Sequence, residues 1–255
     1  MTNIRRRMLL GLAIVAWAAA CIQAQALPAA EVILDRFVEA TGGKAAYQQH
    51  RTEILTGTIS FPAQGLNGSL TRYAAAPDKE YSVVELGPIG KIESGVSAGI
   101  AWEKSTLLGA RLKSGEEKSQ AARQARFNAP LDWRAIYVKV ETAGTETVRD
   151  EECYKVVLTP TAGKTESQFF SKKTGLLVKT IATAASPMGE IPVEVELSGY
   201  QQFGGVLYPT RSRQKAGGQD MEITITGVRL NEAIPDEYFQ LPPEIRALLD
   251  KAAGK

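Results

Sequence analysis

Histidine and cysteine are almost missing from this 255-residue chain: His50 stands alone, and Cys21 and Cys153 are the only thiols. So few ligands cannot build a Cys/His zinc site. A Ser-His-Asp triad would have to use His50, and no G-x-S-x-G elbow accompanies it. His50 falls between the first helix and the first strand, where it reads as an exposed loop residue. An excess of charge of either sign is missing as well. The formal net charge is +2, with no concentrated basic face of the kind that counterion release from a nucleic acid requires. Long apolar runs are absent too: residues 8–20 form the longest near the start, and a spanning helix needs about 20 residues. No low-complexity linker or shift in composition divides the chain.

What is present begins with a leader. Residues 1–26 combine a basic start at Arg5, Arg6 and Arg7, the apolar run and small residues before a cleavage point, the pattern of a secretory signal. The Arg-Arg-Arg-Met-Leu start also loosely resembles a twin-arginine signal, with incomplete flanks. The stretch WAAACIQAQALP, residues 17–28, carries two incompatible endings. Ala-Ala-Ala-Cys21 resembles a lipobox, in which Cys21 would be lipidated and tie the protein to a membrane. Ala24-Gln25-Ala26 is an ordinary A-x-A site that discards Cys21. Alanine rather than leucine three residues before Cys21 weakens the lipobox, so the expectation is a soluble periplasmic protein, with anchoring through Cys21 as the alternative. Removing the leader takes the formal charge from +2 to −1 and leaves Cys153 without a disulfide partner. A secreted domain of residues 27–255 must then be held by its core, and its length is ample for one.

Helical spacing of Ile33, Leu34, Phe37 and Val38 predicts a helix over 28–41, ended by Gly42-Gly43. The period then changes to two, predicting short strands over 54–61, 68–76, 81–86, 89–96 and 98–103. Their connections are too short for parallel crossovers, so neighbours are antiparallel. Ser114-Gly-Glu-Glu117 reads as a capping box opening a second helix that runs to Arg126 and is stopped by Asn128 and Pro130. Strand signals resume over 136–141 and recur through 221–225, with a hairpin loop at 171–175 and another at Gly204-Gly205. A final helix covers 243–253. The fold class is therefore mainly β (α+β): a single domain with a curved antiparallel sheet of about eleven strands, an N-terminal helix, one inserted helix and a short C-terminal helix. A sheet this wide curls or closes to manage its edges.

Several local matches carry no chemistry. Ser212-Arg-Gln-Lys215 and Lys173-Thr-Gly175 mimic penicillin-binding motifs, but the first sits in a strand and their order is reversed. Glu194 and Glu196 share a strand face and would suit glycoside chemistry only if they converged in a cleft at about 5–9 Å; a solvated sheet face is the plainer reading. Glu151-Glu152 reads as a turn. The clusters Lys172-Lys173 and Arg211-x-Arg213-x-Lys215 could touch lipid headgroups, although turn and edge-strand charges explain them. The apolar side is more informative. Trp102, Phe127, Trp133, Tyr137, Phe169 and Phe170 flank the inserted helix or occupy central strands. They either pack the core or line a pocket in the curved sheet suited to an apolar ligand, where each buried methylene is worth about 0.8 kcal/mol. No metal, cofactor or catalytic residue is expected.

The stretches EATGGKAAYQQHRTEILTGTIS, GIAWE, FFSKKTGLLVKT and FGGVLYPT, with a helix inserted in a long meander, resemble the LolA/LolB lipoprotein-carrier superfamily and outer-membrane-lipoprotein-sorting-like proteins. The resemblance spans nearly all of residues 29–243. It implies an unclosed half-barrel whose helices form a lid over an apolar cavity. Similar modules occur fused to insulinase-type metallopeptidases, whose H-x-x-E-H motif is absent here. The resemblance implies a non-enzymatic envelope protein that carries or receives a lipid or acylated ligand. A module that docks an envelope protein through the same sheet, without ligand, is the alternative.

Overall fold

The computed structural model describes residues 26–186 and 189–254. The leader up to residue 25, with Cys21, lies outside them. One antiparallel sheet of thirteen strands dominates. The first six are β1 (Thr52–Phe61), β2 (Leu66–Ala75), β3 (Lys79–Glu85), β4 (Lys91–Ser97), β5 (Ile100–Ser105) and β6 (Gly109–Leu112). The other seven are β7 (Tyr137–Val148), β8 (Glu151–Pro160), β9 (Glu166–Ser171), β10 (Leu177–Ser186), β11 (Gly189–Phe203), β12 (Val206–Ala216) and β13 (Gln219–Leu230). Spatial order follows the chain with one junction: β6 to β1 in reverse, then β13 down to β7, joined where β1 pairs with β13. The chain leaves the sheet at one edge, β6, and re-enters at the other, β7. Between them it forms α3 (Gly115–Ala125) and the single turn α4 (Trp133–Ile136).

That connection reveals the curvature. Helix α3 packs against β4, β5 and β10, and β4 and β10 are seven strand steps apart in the sheet. At about 4.8 Å per step a flat sheet would hold them roughly 34 Å apart, whereas the eleven residues of α3 extend only about 16 Å. The sheet must therefore curl, and α3 lies across the concavity.

The remaining helices are α1 (Ala30–Ala40), α2 (Gly43–Gln48) and α5 (Pro243–Ala253). Ile33 and Leu34 of α1 pack with Trp133, Val156, Leu158 and Phe170 in the largest core cluster. The junction of α1 and α2 presses on the β11–β12 hairpin. Leu207 N–H donates to Thr41 O at 2.8 Å, and a Cβ on Gly42, whose φ is +131°, would sit 2.3 Å from Gly205 O. Two of the stretches that carry the family resemblance thus form one contact.

Several expectations need correction. The sheet has thirteen strands rather than about eleven; β6 is four residues long and too short to display alternation. Gly42-Gly43 does not simply end a helix but turns the chain into α2. Ile136 closes α4 instead of opening a strand, and Glu151 and Glu152 begin β8 after a turn at Arg149-Asp150. Ser114 is the N-cap of α3 but makes no side-chain cap bond. Glu117 is instead forked onto Arg111 at 2.6 and 2.7 Å, a charge-assisted pair stronger than a neutral capping bond. His50 is buried at 5% exposure. Its Nε2 lies 2.8 Å from Gly204 O, because the β11–β12 turn packs over the α2–β1 junction. Strand β12 is interior, so Arg211, Arg213 and Lys215 are not edge charges.

The C-terminal segment also departs from expectation. In the register Tyr81↔Gly95↔Trp102 these residues share one sheet face, while Val96 and Ala101 share the other. Val96 and Ala101 pack under Ala125 of α3. Tyr238 stacks on Tyr73 at 4.2 Å and approaches Tyr81 at 5.7 Å, and Glu244 of α5 pairs with Lys104 at 2.7 Å. The segment 236–253 therefore covers the convex face and is no part of the lid.

Replacing Gly42 with alanine should destabilise the protein by more than about 2 kcal/mol, since it combines a left-handed backbone with a backbone clash. Urea denaturation reads this directly; a loss below about 0.5 kcal/mol would mean the α1–α2 junction does not seat on the hairpin as described.

Candidate functional site

Alternation decides what faces the concavity. Thr180, Ala182 and Ala184 of β10 face it with Val193 and Val195 of β11, lining a chamber of about 360 Å³ beneath α3. A second chamber, about 280 Å³, lies beside it, walled by Phe37, Leu177, Leu197, Tyr200, Val206 and Tyr208 among others. Gln124 and Ala129 line both. An open cleft of about 660 Å³ lies along the α3–α4 segment and adjoins both chambers, sharing Arg123 and Ile136 with the first and Arg126, Phe127 and Asn128 with the second.

Besides Arg123, whose guanidinium donates to Ala162 O between β8 and β9, three polar anchors hold α3 over these chambers. Gln120 donates from Nε2 to Thr183 O at 2.6 Å and accepts from Ala185 N–H at 3.0 Å. Its amide thereby imitates a strand partner for β10 beyond the last pairing with β9 at Ile181↔Ser167. Opposite Thr183 in β11 stands Pro192, which has no N–H to offer. Arg72, on β2, donates to Glu53 at 2.7 Å and to Glu80 at 2.7 and 2.9 Å, with a longer bond of 3.4 Å to Gln124 O at the end of α3. Burial disfavours the charged guanidinium, but Glu80 and Glu53 outweigh it and hold the proton more tightly than usual. The third anchor is the Arg111–Glu117 fork. The Arg111 bonds hold the Glu117 carboxyl below the ordinary carboxylate range.

The six aromatic candidates do not converge. Phe127 lines the smaller chamber and the outer cleft, and Tyr137 lines the larger chamber. The Tyr137 hydroxyl donates to Glu166 at 2.7 Å; burial first, then the adjacent Glu166, push its pKa up. Trp133 and Phe170 belong to the core beneath α1, where Trp133 Nε1 donates to Asp35 at 3.1 Å. Phe169 points to the convex face with Val148 and Cys153, and Trp102 lies under the C-terminal segment, beside Tyr81 and Tyr238. Glu194 and Glu196 sit on the convex face paired with Lys179 and Arg149. Ser212 and Lys215 fall on opposite faces of β12, three positions apart on a strand. Among the described residues no group of three or more His, Cys, Asp and Glu is placed to hold a metal, and no helix is long and apolar enough to cross a membrane.

Sequence reading missed Arg72, Gln120 and the small residues of β10. A signal existed for the last: Thr180-Ile-Ala182-Thr-Ala184 places small side chains on every second position, and space opens where side chains are small. Arg72 and Gln120 act through contacts at separations of 8 to 65 residues, which no local pattern encodes.

No protein-family model matches the sequence, and no curated protein matches it. Solved structures do. A LolA superfamily protein from Nitrosomonas europaea superposes with a TM-score of 0.58 at 13% identity, covering 84% of this chain and 99% of its own. A DUF1329 family protein from Desulfovibrio piger gives 0.56 at 17% identity, covering 83% and 97%. A domain of an outer membrane lipoprotein-sorting protein from Vibrio parahaemolyticus gives 0.54 at 13% identity, again covering 83% and 97%. At these identities the likeness is one of fold.

The Glu117 anchor predicts a pH dependence. A carboxyl with a depressed folded pKa stabilises the protein above its unfolded pKa, and that contribution is lost as pH falls through the folded value. Glu117→Gln should therefore be less stable than wild type at pH 6–7, and the difference should vanish between roughly pH 5 and pH 3. Urea titrations of both proteins across that range check this; a constant difference would remove Arg111–Glu117 as the cause.

Proposed function

We propose, on the premise of the LolA-like fold that this chain shares with those structures, that it is a non-enzymatic carrier or receiver of a lipid or acylated ligand in the cell envelope. The observation that carries the reading is the pair of adjoining chambers on the concave face, the smaller walled mainly by apolar side chains and the larger by small apolar and polar ones. Phe127 and Tyr137 are the sequence-chosen aromatics with access to them; Trp102, Trp133, Phe169 and Phe170 serve the frame. The larger chamber lies beneath α3 and the smaller beneath the segment 126–130 that follows it, so displacing the helix with that segment opens them without unfolding the sheet. Residues 1–26 act in this reading as the secretion signal of one mature domain, cut after Ala26, which leaves a protein free to move between membranes. Lipidation at Cys21 would instead give a fixed acceptor.

A docking module for an envelope protein is the second reading. It is favoured by Leu107 and Leu108, which are 74% and 81% exposed at the β5–β6 tip.

Two measurements separate the readings. Protein purified from its native envelope should release lipid on solvent extraction, and the stripped protein should take up a fluorescent fatty acid with micromolar affinity or better. An empty extract together with no uptake would overturn the carrier reading. Capture of an envelope partner that survives Phe127→Ala and Tyr137→Ala would then favour docking.

A further inference from the structure

A separate pocket lies on the convex face, on the other side of the sheet from the chambers. It measures about 330 Å³ and is walled by Tyr81, Glu93 and Trp102 of the sheet and by Glu237, Tyr238 and Arg246 of the C-terminal segment, among others. Its aromatic wall exists because Gly95, between Tyr81 and Trp102 in the register, carries no side chain: a Cβ there would sit 2.8 Å from the indole. The Tyr81 ring centroid lies 6.1 Å from that of the indole and 5.7 Å from that of Tyr238. Trp102 is 2% exposed, and a tryptophan buried that deeply normally finds an acceptor for its N–H. Trp133 does, at Asp35; Trp102 has none in the protein. Among the described residues no sealed side-chain nitrogen or oxygen lacks a partner. The Trp102 N–H is therefore reached from open space, and the space that Trp102 lines is this pocket.

The charges around the pocket balance, but they are not all paired. Glu93, Glu237 and Glu244 stand with Lys91, Lys104 and Arg246. Burial opposes the charge on Glu93, but the Tyr81 hydroxyl at 2.6 Å and Lys91 at 3.1 Å outweigh it and hold the carboxyl below the ordinary carboxylate range. Lys104 is taken by Glu244. Glu237 and Arg246 are exposed, and neither has a partner, including each other. We propose that this pocket binds a small zwitterion of about ten non-hydrogen atoms, an ammonium or quaternary ammonium group joined to a carboxylate or phosphate. The cationic end lies with Glu237 and the Tyr81 and Tyr238 rings, because the negative face of an aromatic ring attracts a cation, a quaternary one included. The anionic end accepts from the Trp102 N–H and from Arg246. A ligand of one sign would leave either the indole N–H and the guanidinium or the Glu237 carboxylate without a partner where water is partly excluded. This site is independent of the carrier reading, since the pocket and the chambers lie on opposite faces of the sheet.

The test is a titration followed by NMR at the indole N–H of Trp102, whose resonance is identified by its loss in Trp102→Phe. Phosphocholine or glycine betaine should shift it saturably while the Trp133 resonance stays still. Choline alone and inorganic phosphate alone should bind at least about tenfold more weakly than the zwitterion. The zwitterion should lose about as much affinity in Glu237→Gln and in Arg246→Gln, two exposed changes that leave folding intact. Vesicle flotation identifies the source. Binding to phosphatidylcholine vesicles and not to phosphatidylglycerol ones marks a lipid headgroup, whereas binding of the soluble zwitterion alone marks a free solute; either supports the site. Choline or phosphate matching the zwitterion, affinity unchanged in either variant, or no shift with any zwitterion would overturn the proposal. Palmitate uptake by the chambers would stand or fall separately.

Discussion

A short helix holds together two strands that are far apart in the sheet. Helix α3 touches β4 and β10, seven strand steps apart, and the curl of the sheet, the concavity and its cover all follow from that. The alternative would be a wide, nearly flat meander with two exposed edges, a liability that proteins avoid. Here the two edges, β6 and β7, are the points at which the chain departs into the helical segment and returns. One connection thus joins the edges in sequence and fills the gap between them in space.

The way α3 is held bears on what it can do. Its apolar footing is modest: Ala121 and Ala125 on Val96 and Ala101. Its polar anchors are Gln120 on the β10 backbone, Arg72 on Gln124 O, Arg111 on Glu117 and Arg123 on Ala162 O. Neutral bonds contribute about 1 kcal/mol each in net terms and charged ones about 1.5–3 kcal/mol, so lifting the helix costs less than disturbing the sheet. By contrast α1 buries Ile33, Leu34 and Val38 and is part of the frame. Cover and frame differ in the amount of apolar surface each would expose on moving.

The fold was legible in the sequence to a large degree because its determinants are local. Two-residue alternation, Gly and Pro punctuation, and the helix between strand runs specify a meander with an insertion, and Gly175 takes the positive φ of +78° expected of its hairpin. The site was less legible. Large aromatics suggest a pocket by their apolar area, yet Phe169, Phe170 and Trp133 fill space rather than leave it. The larger chamber exists because Ala182, Ala184, Val193 and Val195 are small. Position on the concave or convex face also depends on register, which placed Trp102 under the C-terminal segment. His50 was misjudged for the same reason, since the hairpin that buries it lies more than 150 residues away.

The central claim is that α3 is a movable cover over an acyl-binding cavity. Amide hydrogen exchange tests it most directly, because it reports local opening separately from global unfolding. In the delipidated protein the amides of residues 118–125 should exchange much faster than those of β10 and β11, and saturating palmitate should slow them at least tenfold with little effect on the sheet. Exchange in α3 as slow as in those strands, or unchanged by palmitate, would contradict the claim.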